Sequence, residues 1–127
     1  MKNRFLLSLF LLLFISVPIV QAQSTEGEYK KLIGEWVRID GGYVLVINDI
    51  DEEGNIDAAY LNPRSINVSE ARVGAKSDEI NIFVELQDRG YPGSYYTLIY
   101  DSETDRLVGV YHHLGLNQDF EVFFVRE

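Results

Sequence analysis

Ile80-Asn81-Ile82-Phe83-Val84-Glu85-Leu86 alternates with a period of two: Ile80, Ile82, Val84 and Leu86 share one face, while Asn81 and Glu85 share the other. Successive side chains of a strand point to opposite faces, so this run predicts a β-strand with one face buried. Near the end of the chain Phe120, Val122, Phe124 and Arg126 repeat the pattern. Reading outward gives eight such runs, near 33–39, 43–49, 55–61, 66–74, 79–86, 94–100, 106–113 and 119–126. Valine, tyrosine and phenylalanine abound in them, as a pleated surface favours.

The connections decide how the runs assemble. Gly41-Gly42, Glu53-Gly54-Asn55, Asn62-Pro63, Lys76-Ser77-Asp78, Pro92-Gly93, Ser102-Glu103-Thr104 and Leu114-Gly115-Leu116-Asn117 each separate two neighbours. All are turn-forming and too short for a parallel crossover, so adjacent strands must run antiparallel in a meander. Closing that meander removes its sticky edges and needs no long connection. The expectation is therefore an all-β fold, an eight-stranded antiparallel up-and-down β-barrel. A membrane-spanning barrel would need longer strands, an unbroken apolar outer band and aromatic girdles. Here many outward positions are charged or polar, which argues against one.

Residues 1–22 read as an address. Lys2 and Arg4 precede the apolar stretch Phe5 to Val20, and Val20-Gln21-Ala22 offers a cleavage point after Ala22. A cleavable signal peptide over 1–22, a lead-in over 23–32 and one barrel domain over 33–127 are expected, in a secreted or periplasmic protein. Loss of Lys2 and Arg4 leaves nine basic residues against twenty acidic ones, a formal charge of −11. Such a surface repels phosphate backbones and anionic headgroups, so neither nucleic acid nor a membrane surface is expected as a partner after the leader is removed. With no cysteine, an exported chain has no disulfide staples. Its stability must come from the closed sheet, and pairing into a homo-oligomer would add to it.

Gly34-Glu35-Trp36 at the start of the first strand and Arg126 near the end of the last resemble the calycin superfamily: lipocalins, fatty-acid-binding proteins and avidins. The resemblance covers essentially all of the mature chain in strand count and meander order. It implies that Gly34, Trp36 and Arg126 are structural, with the arginine packed across the tryptophan at one barrel end. Biotin is not implied. Avidin-like proteins ring it with several tryptophans, whereas this chain has Trp36 alone, and Arg38 stands where their ligand-contacting asparagine falls.

Up-and-down order gives the two ends different loops. The connections 49–55, 75–78 and 101–105 share the Trp36 end and are short and acidic. Those near 40–42, 62–65, 87–93 and 114–117 share the other end and carry Asn62, Arg64, Asp88, Arg89 and Tyr91, with His113 close by. The richer end is the expected mouth of a ligand-holding barrel. Parity extends the site inward. If Trp36 points in, so do Arg38 and Asp40; Tyr60 and Asn62 share a face, as do Tyr111 and His113. Tyr43, Tyr60, Tyr95 and Tyr111 are the expected amphipathic walls, Arg38, Asn62 and His113 the polar contacts, and Arg89 and Tyr91 the rim. A buried guanidinium needs a partner, either an internal acid such as Asp40 or a ligand acceptor.

Other constellations carry less. Neighbours on a strand face apart, so His112-His113 cannot chelate one ion. Asp49 to Asn55 imitates a calcium loop, but Tyr60 stands where the bidentate acid belongs. No nucleophile stands beside a credible base. No catalytic residue, metal or cofactor is expected, and isomerase-type chemistry would rest on fold versatility alone. The expected function is small-ligand binding at the open end. The alternative is a protein-interaction module, a secreted inhibitor or assembly subunit, that uses an outer apolar patch of Phe83, Val108, Val110, Phe123 and Val125.

Overall fold

A computed structural model describes residues 15–18 and 25–127 of the chain. The expected leader over 1–22 and its cleavage point lie outside the described residues, apart from 15–18, which form no helix or strand.

The barrel region contains nine strands rather than the expected eight: β1 Gly34–Arg38, β2 Tyr43–Ile50, β3 Ile56–Asn62, β4 Arg64–Ile66, β5 Val68–Lys76, β6 Glu79–Asp88, β7 Tyr91–Asp101, β8 Arg106–His113 and β9 Gln118–Arg126. Their order in the sheet is β4-β3-β2-β1-β9-β8-β7-β6-β5, and every pairing is antiparallel. The extra strand arises where the expected fourth run divides at Asn67. Residues 64–66 pair with the end of β3, Tyr60 facing Ile66 and Asn62 facing Arg64, while 68–76 pair with β6. Asn67 itself is tied to β6, its amide donating to the Gln87 carbonyl and its carbonyl accepting from the Gln87 amide.

The barrel is nearly closed. At one end of the seam the short β3–β4 hairpin bridges the strands. At the other, Asn55 bridges Arg72, and the Val73 amide donates to the Gly54 carbonyl at 2.8 Å. No ladder pairs join 57–59 to 68–71 between these points. The half-buried small residues Ala58 and Ala71 flank this gap.

The expected loose lead-in is ordered where described. Thr25–Tyr29 form a short α-helix that runs into a 3-10 turn over Lys30–Leu32. Tyr29 and Leu32 are buried in the core. The Leu32 carbonyl accepts a 2.8 Å bond from the indole N–H of Trp36, so the segment stoppers the barrel rather than leading loosely into it.

Trp36 is fully buried and pairs across the closing strands with Arg126. The Arg126 guanidinium lies 4.2 Å from the centre of the indole. It donates to the Lys31 and Ile33 carbonyls and to both carboxylate oxygens of Asp105. One cation thus joins the first strand, the stopper and the β7–β8 turn. Gly34 has φ 142°, and a Cβ there would sit 3.0 Å from Nη1 of Arg126, which explains why glycine precedes the tryptophan by two. Leu45, Ile47, Val84, Leu86, Leu98 and Phe124, all almost completely buried, fill the centre. The interior is therefore packed through its middle and at the Trp36 end, and a cleft opens towards the opposite rim.

Candidate functional site at the open end of the barrel

That rim holds a cleft of about 420 Å³, lined by Arg38, Tyr43, Tyr60, Tyr91, Tyr111 and His113, with Gly90 and Phe120 at its border. Three elements build its polar floor. Arg38 closes β1 and is 8% exposed. Its Nε and Nη2 donate to the two oxygens of Asp40 at 2.6 and 3.0 Å, and its Nη1 donates to the Tyr96 hydroxyl at 2.9 Å. The guanidinium also lies over the Tyr43 ring, 4.3 Å from its centre. The Tyr96 and Tyr60 hydroxyls are 2.7 Å apart.

Electrostatics follow from this arrangement. Burial works against the Arg38 charge, but its bonds to Asp40 and Tyr96 outweigh burial and raise its pKa above the ordinary arginine value. The bonds from Arg38 hold the Asp40 carboxyl below its usual range. Burial raises Tyr60 well above an ordinary phenol and pushes Tyr96 up to about 12, so both remain neutral hydroxyls. Asp40 is not buried with its partner, because 54% of its side chain is exposed. The ion pair therefore spans the floor and the solvent.

The walls come from β3, β7 and β8. Tyr91 receives a short hydrogen bond from the Asn62 amide, which fixes its hydroxyl across the mouth. Tyr111 stacks on Tyr96 at 4.6 Å, and His113 stands edge-on to Tyr111 at 5.6 Å. The His113 Nδ1 accepts the Leu116 amide at 3.1 Å, so its proton belongs on Nε2. Arg64 bonds the Asp88 carboxylate and the Arg89 carbonyl, and Asp88 accepts from the Asn67 and Arg89 amides. These bonds hold the rim together.

No family model, curated protein or solved structure matches this chain.

Of the residues expected at the site, Arg38, Tyr43, Tyr60, Tyr91, Tyr111 and His113 converge on the cleft, and Asn62 supports it through Tyr91. Arg89 does not line it: its side chain is exposed, and its backbone serves the rim network. Tyr95 is a correction, because it stands on the outer face, stacked on His112 at 4.3 Å and tilted against Phe83. Within this strand Ser94, Tyr96 and Leu98 alternate as the buried face, and a bulge in β7 sets that face against Tyr91. Pro92-Gly93 is not the turn expected there. The chain turns at Arg89-Gly90, Tyr91 already pairs with Asp88, and the register shifts between Glu85 and Gln87. Gly93 takes φ 83° at the bulge. The extra residue reverses parity, so Tyr91, Ser94 and Tyr96 all point inward. Tyr96, which was not among the expected site residues, is the hydroxyl that links Arg38 to Tyr60.

His112 and His113 face apart as expected. On the outer face His112 bonds Asp119 through Nδ1 at 2.9 Å and Thr97 through Nε2 at 3.1 Å. The order of acid, imidazole and hydroxyl is that of a hydrolase triad. However, β7 is laddered on both sides around Thr97, so its backbone N–H groups are not free to form an oxyanion hole. The acidic 49–55 stretch is a hairpin in which Asp51 accepts from the Glu53 and Asn55 amides. Among the described residues no group of three metal-ligating side chains is assembled.

Proposed function

We propose that the chain is an exported binding protein that holds a small, partly apolar ligand in the open end of its barrel. One observation carries the reading: a buried guanidinium and a chain of buried hydroxyls lie beneath an aromatic-walled cleft of about 420 Å³. Ligand pockets are usually about 300–1,000 Å³, mostly apolar, with a few convergent polar groups. The likeness of Gly34-x-Trp36 and Arg126 to the calycin opening agrees with a barrel that has one stoppered and one open end. Export rests on the leader-like start of the chain.

Thermal shift and native mass spectrometry against metabolite extracts test the reading, with Arg38→Met as the control. A retained ligand that is lost in the variant is the expected result. No retained mass and no stabilisation by any fraction would overturn it.

A second reading has its own observation. The outer face of β5–β8 carries a groove of about 500 Å³ lined by Phe83, Thr97, Ile99, Val108 and Val110, larger and more apolar than the mouth. Val108 and Ile99 are 42% and 39% exposed. On this reading a second copy of the chain covers the groove. Light scattering over a concentration series separates the two, because a strict monomer excludes the outer-face reading and leaves the cleft untouched.

A further inference from the structure

The direction of the buried hydrogen bonds narrows the ligand class. Tyr96 is fully buried, and its oxygen already accepts from Arg38. Were Tyr60 to donate to Tyr96, the Tyr96 proton would have no acceptor, and an unsatisfied buried hydroxyl is costly. Tyr60 is as deeply buried, at 1% exposure, but unlike Tyr96 it borders the cleft, so the order Arg38 to Tyr96 to Tyr60 is the one that leaves the last proton where a cleft acceptor can take it. The same accounting applies around the wall. The Tyr91 oxygen accepts from Asn62, which leaves its proton. His113 accepts on Nδ1, which leaves Nε2–H. Arg38 has five N–H donors and spends three on Asp40 and Tyr96. The cleft thus offers hydrogen-bond donors from several sides.

Charge decides what kind of acceptor fits. The Arg38 charge is already offset by the twofold bond to Asp40. A bound carboxylate would leave the mouth negative, inside a protein whose formal charge is −9 for the whole chain and −11 without the leader-like segment. That field also slows the approach of anions. The walls are ring faces and edges of Tyr43, Tyr60, Tyr91 and Tyr111, which suit a flat body.

We infer that the cleft takes an uncharged, planar ligand bearing an acceptor oxygen, such as an aryl ketone or quinone, with that oxygen on the Tyr60 hydroxyl and Arg38. The inference rests on the mouth being a binding site, and its test separates the two. Three probes of matched shape are titrated into the purified protein: 2-acetylnaphthalene, 2-ethylnaphthalene and 2-naphthoate. The ketone should bind at least about tenfold tighter than the hydrocarbon and about tenfold tighter than the carboxylate. Asp40→Asn should strengthen naphthoate about tenfold relative to the ketone, because it frees the Arg38 charge, which a carboxylate uses more fully than a neutral oxygen. Tyr60→Phe should sharply reduce the preference for ketone over hydrocarbon, with Arg38 as the remaining donor, while keeping the ring wall.

Equal binding of ketone and hydrocarbon would overturn the donor argument while leaving a binding site. Tighter binding of naphthoate by the unsubstituted protein would overturn the charge argument and favour exchange of Asp40 for a ligand carboxylate. Failure of all three probes would overturn both the ligand class and the reading of the mouth.

Discussion

The two halves of the Arg38–Asp40 pair should respond very differently to deletion. Arg38 is 8% exposed, whereas the Asp40 side chain is 54% exposed. Arg38→Met removes the buried cation and leaves Asp40 free to re-solvate in place. The desolvation cost of the guanidinium disappears with it, and no buried charge is left uncompensated, because the Asp40 side chain is largely exposed. The loss of one hydrogen bond at Tyr96 costs about 1 kcal/mol against that gain. Arg38→Met should therefore shift stability by no more than about 1 kcal/mol in either direction.

Asp40→Ala does the opposite and strands a guanidinium among Tyr43, Tyr96 and Tyr111. Removing one partner of a fully buried pair costs about 3–5 kcal/mol. The pair is not fully buried, because the Asp40 side chain is 54% exposed, so the cost should fall to about 2 kcal/mol. For a domain near 100 residues that is a fall in Tm of about 8–16 °C. Urea denaturation at pH 7, with Tm by circular dichroism, measures both variants and the double variant. In the double variant the penalty of Asp40→Ala should disappear. Equal losses from the two single variants, or a double variant that is the sum of both, would refute the asymmetry and with it the picture of a buried cation with an exposed partner.

Other outcomes follow from separate parts of the fold. A Cβ at Gly109 would stand 2.0 Å from the Thr97 carbonyl oxygen and 2.9 Å from the Leu98 Cα. Gly109→Ala should therefore cost about 1–3 kcal/mol, whereas Gly74→Ala, with nothing within 4 Å, should stay within about 0.5 kcal/mol by the same denaturation assay. Trp36 is the single tryptophan and is fully buried, so emission should be blue-shifted and resist acrylamide. Trp36→Phe leaves the Leu32 carbonyl without its donor and should cost about 2–4 kcal/mol. The Arg126 bond, then the Tyr100 bond, lower the pKa of Asp105, and Arg38 lowers that of Asp40. A lowered folded-state pKa stabilises above the unfolded value and is lost as pH falls through the folded one. Stability should thus hold from neutral pH down to about 4 and decline below it, and Asp105→Asn should flatten part of that decline in an acid titration followed by circular dichroism.

The strands and the meeting of Trp36 with Arg126 were legible because they depend on strand periodicity and antiparallel order. Period-two runs such as Ile80–Leu86 need only burial on one face, and the meeting of Trp36 with Arg126 follows from antiparallel order once the sheet curls. What parity could not reach were the irregularities. One extra residue at Gly93 turned Tyr95 outward and Tyr96 inward, and a kink at Asn67 divided one expected strand into two. Pro92-Gly93 looks like a turn in isolation, yet Arg89-Gly90 takes that role because Asp88 caps it from its side chain. The helical stopper was hidden for another reason. Its few apolar residues, Tyr29 and Leu32, gain burial only from a barrel end that already exists. Within the site, six of the nine expected ligand residues line the cleft. Tyr96, which links the floor together, was not among them, although it shares a face with Leu98.

Tyrosine- and histidine-selective NMR during titration with 2-acetylnaphthalene tests the central claim most directly. The account predicts shifts at Tyr60, Tyr91, Tyr111 and His113, with Tyr95 and His112 unmoved on the outer face. Shifts confined to Tyr95 and His112 would instead place the ligand outside the barrel and contradict a site at its mouth.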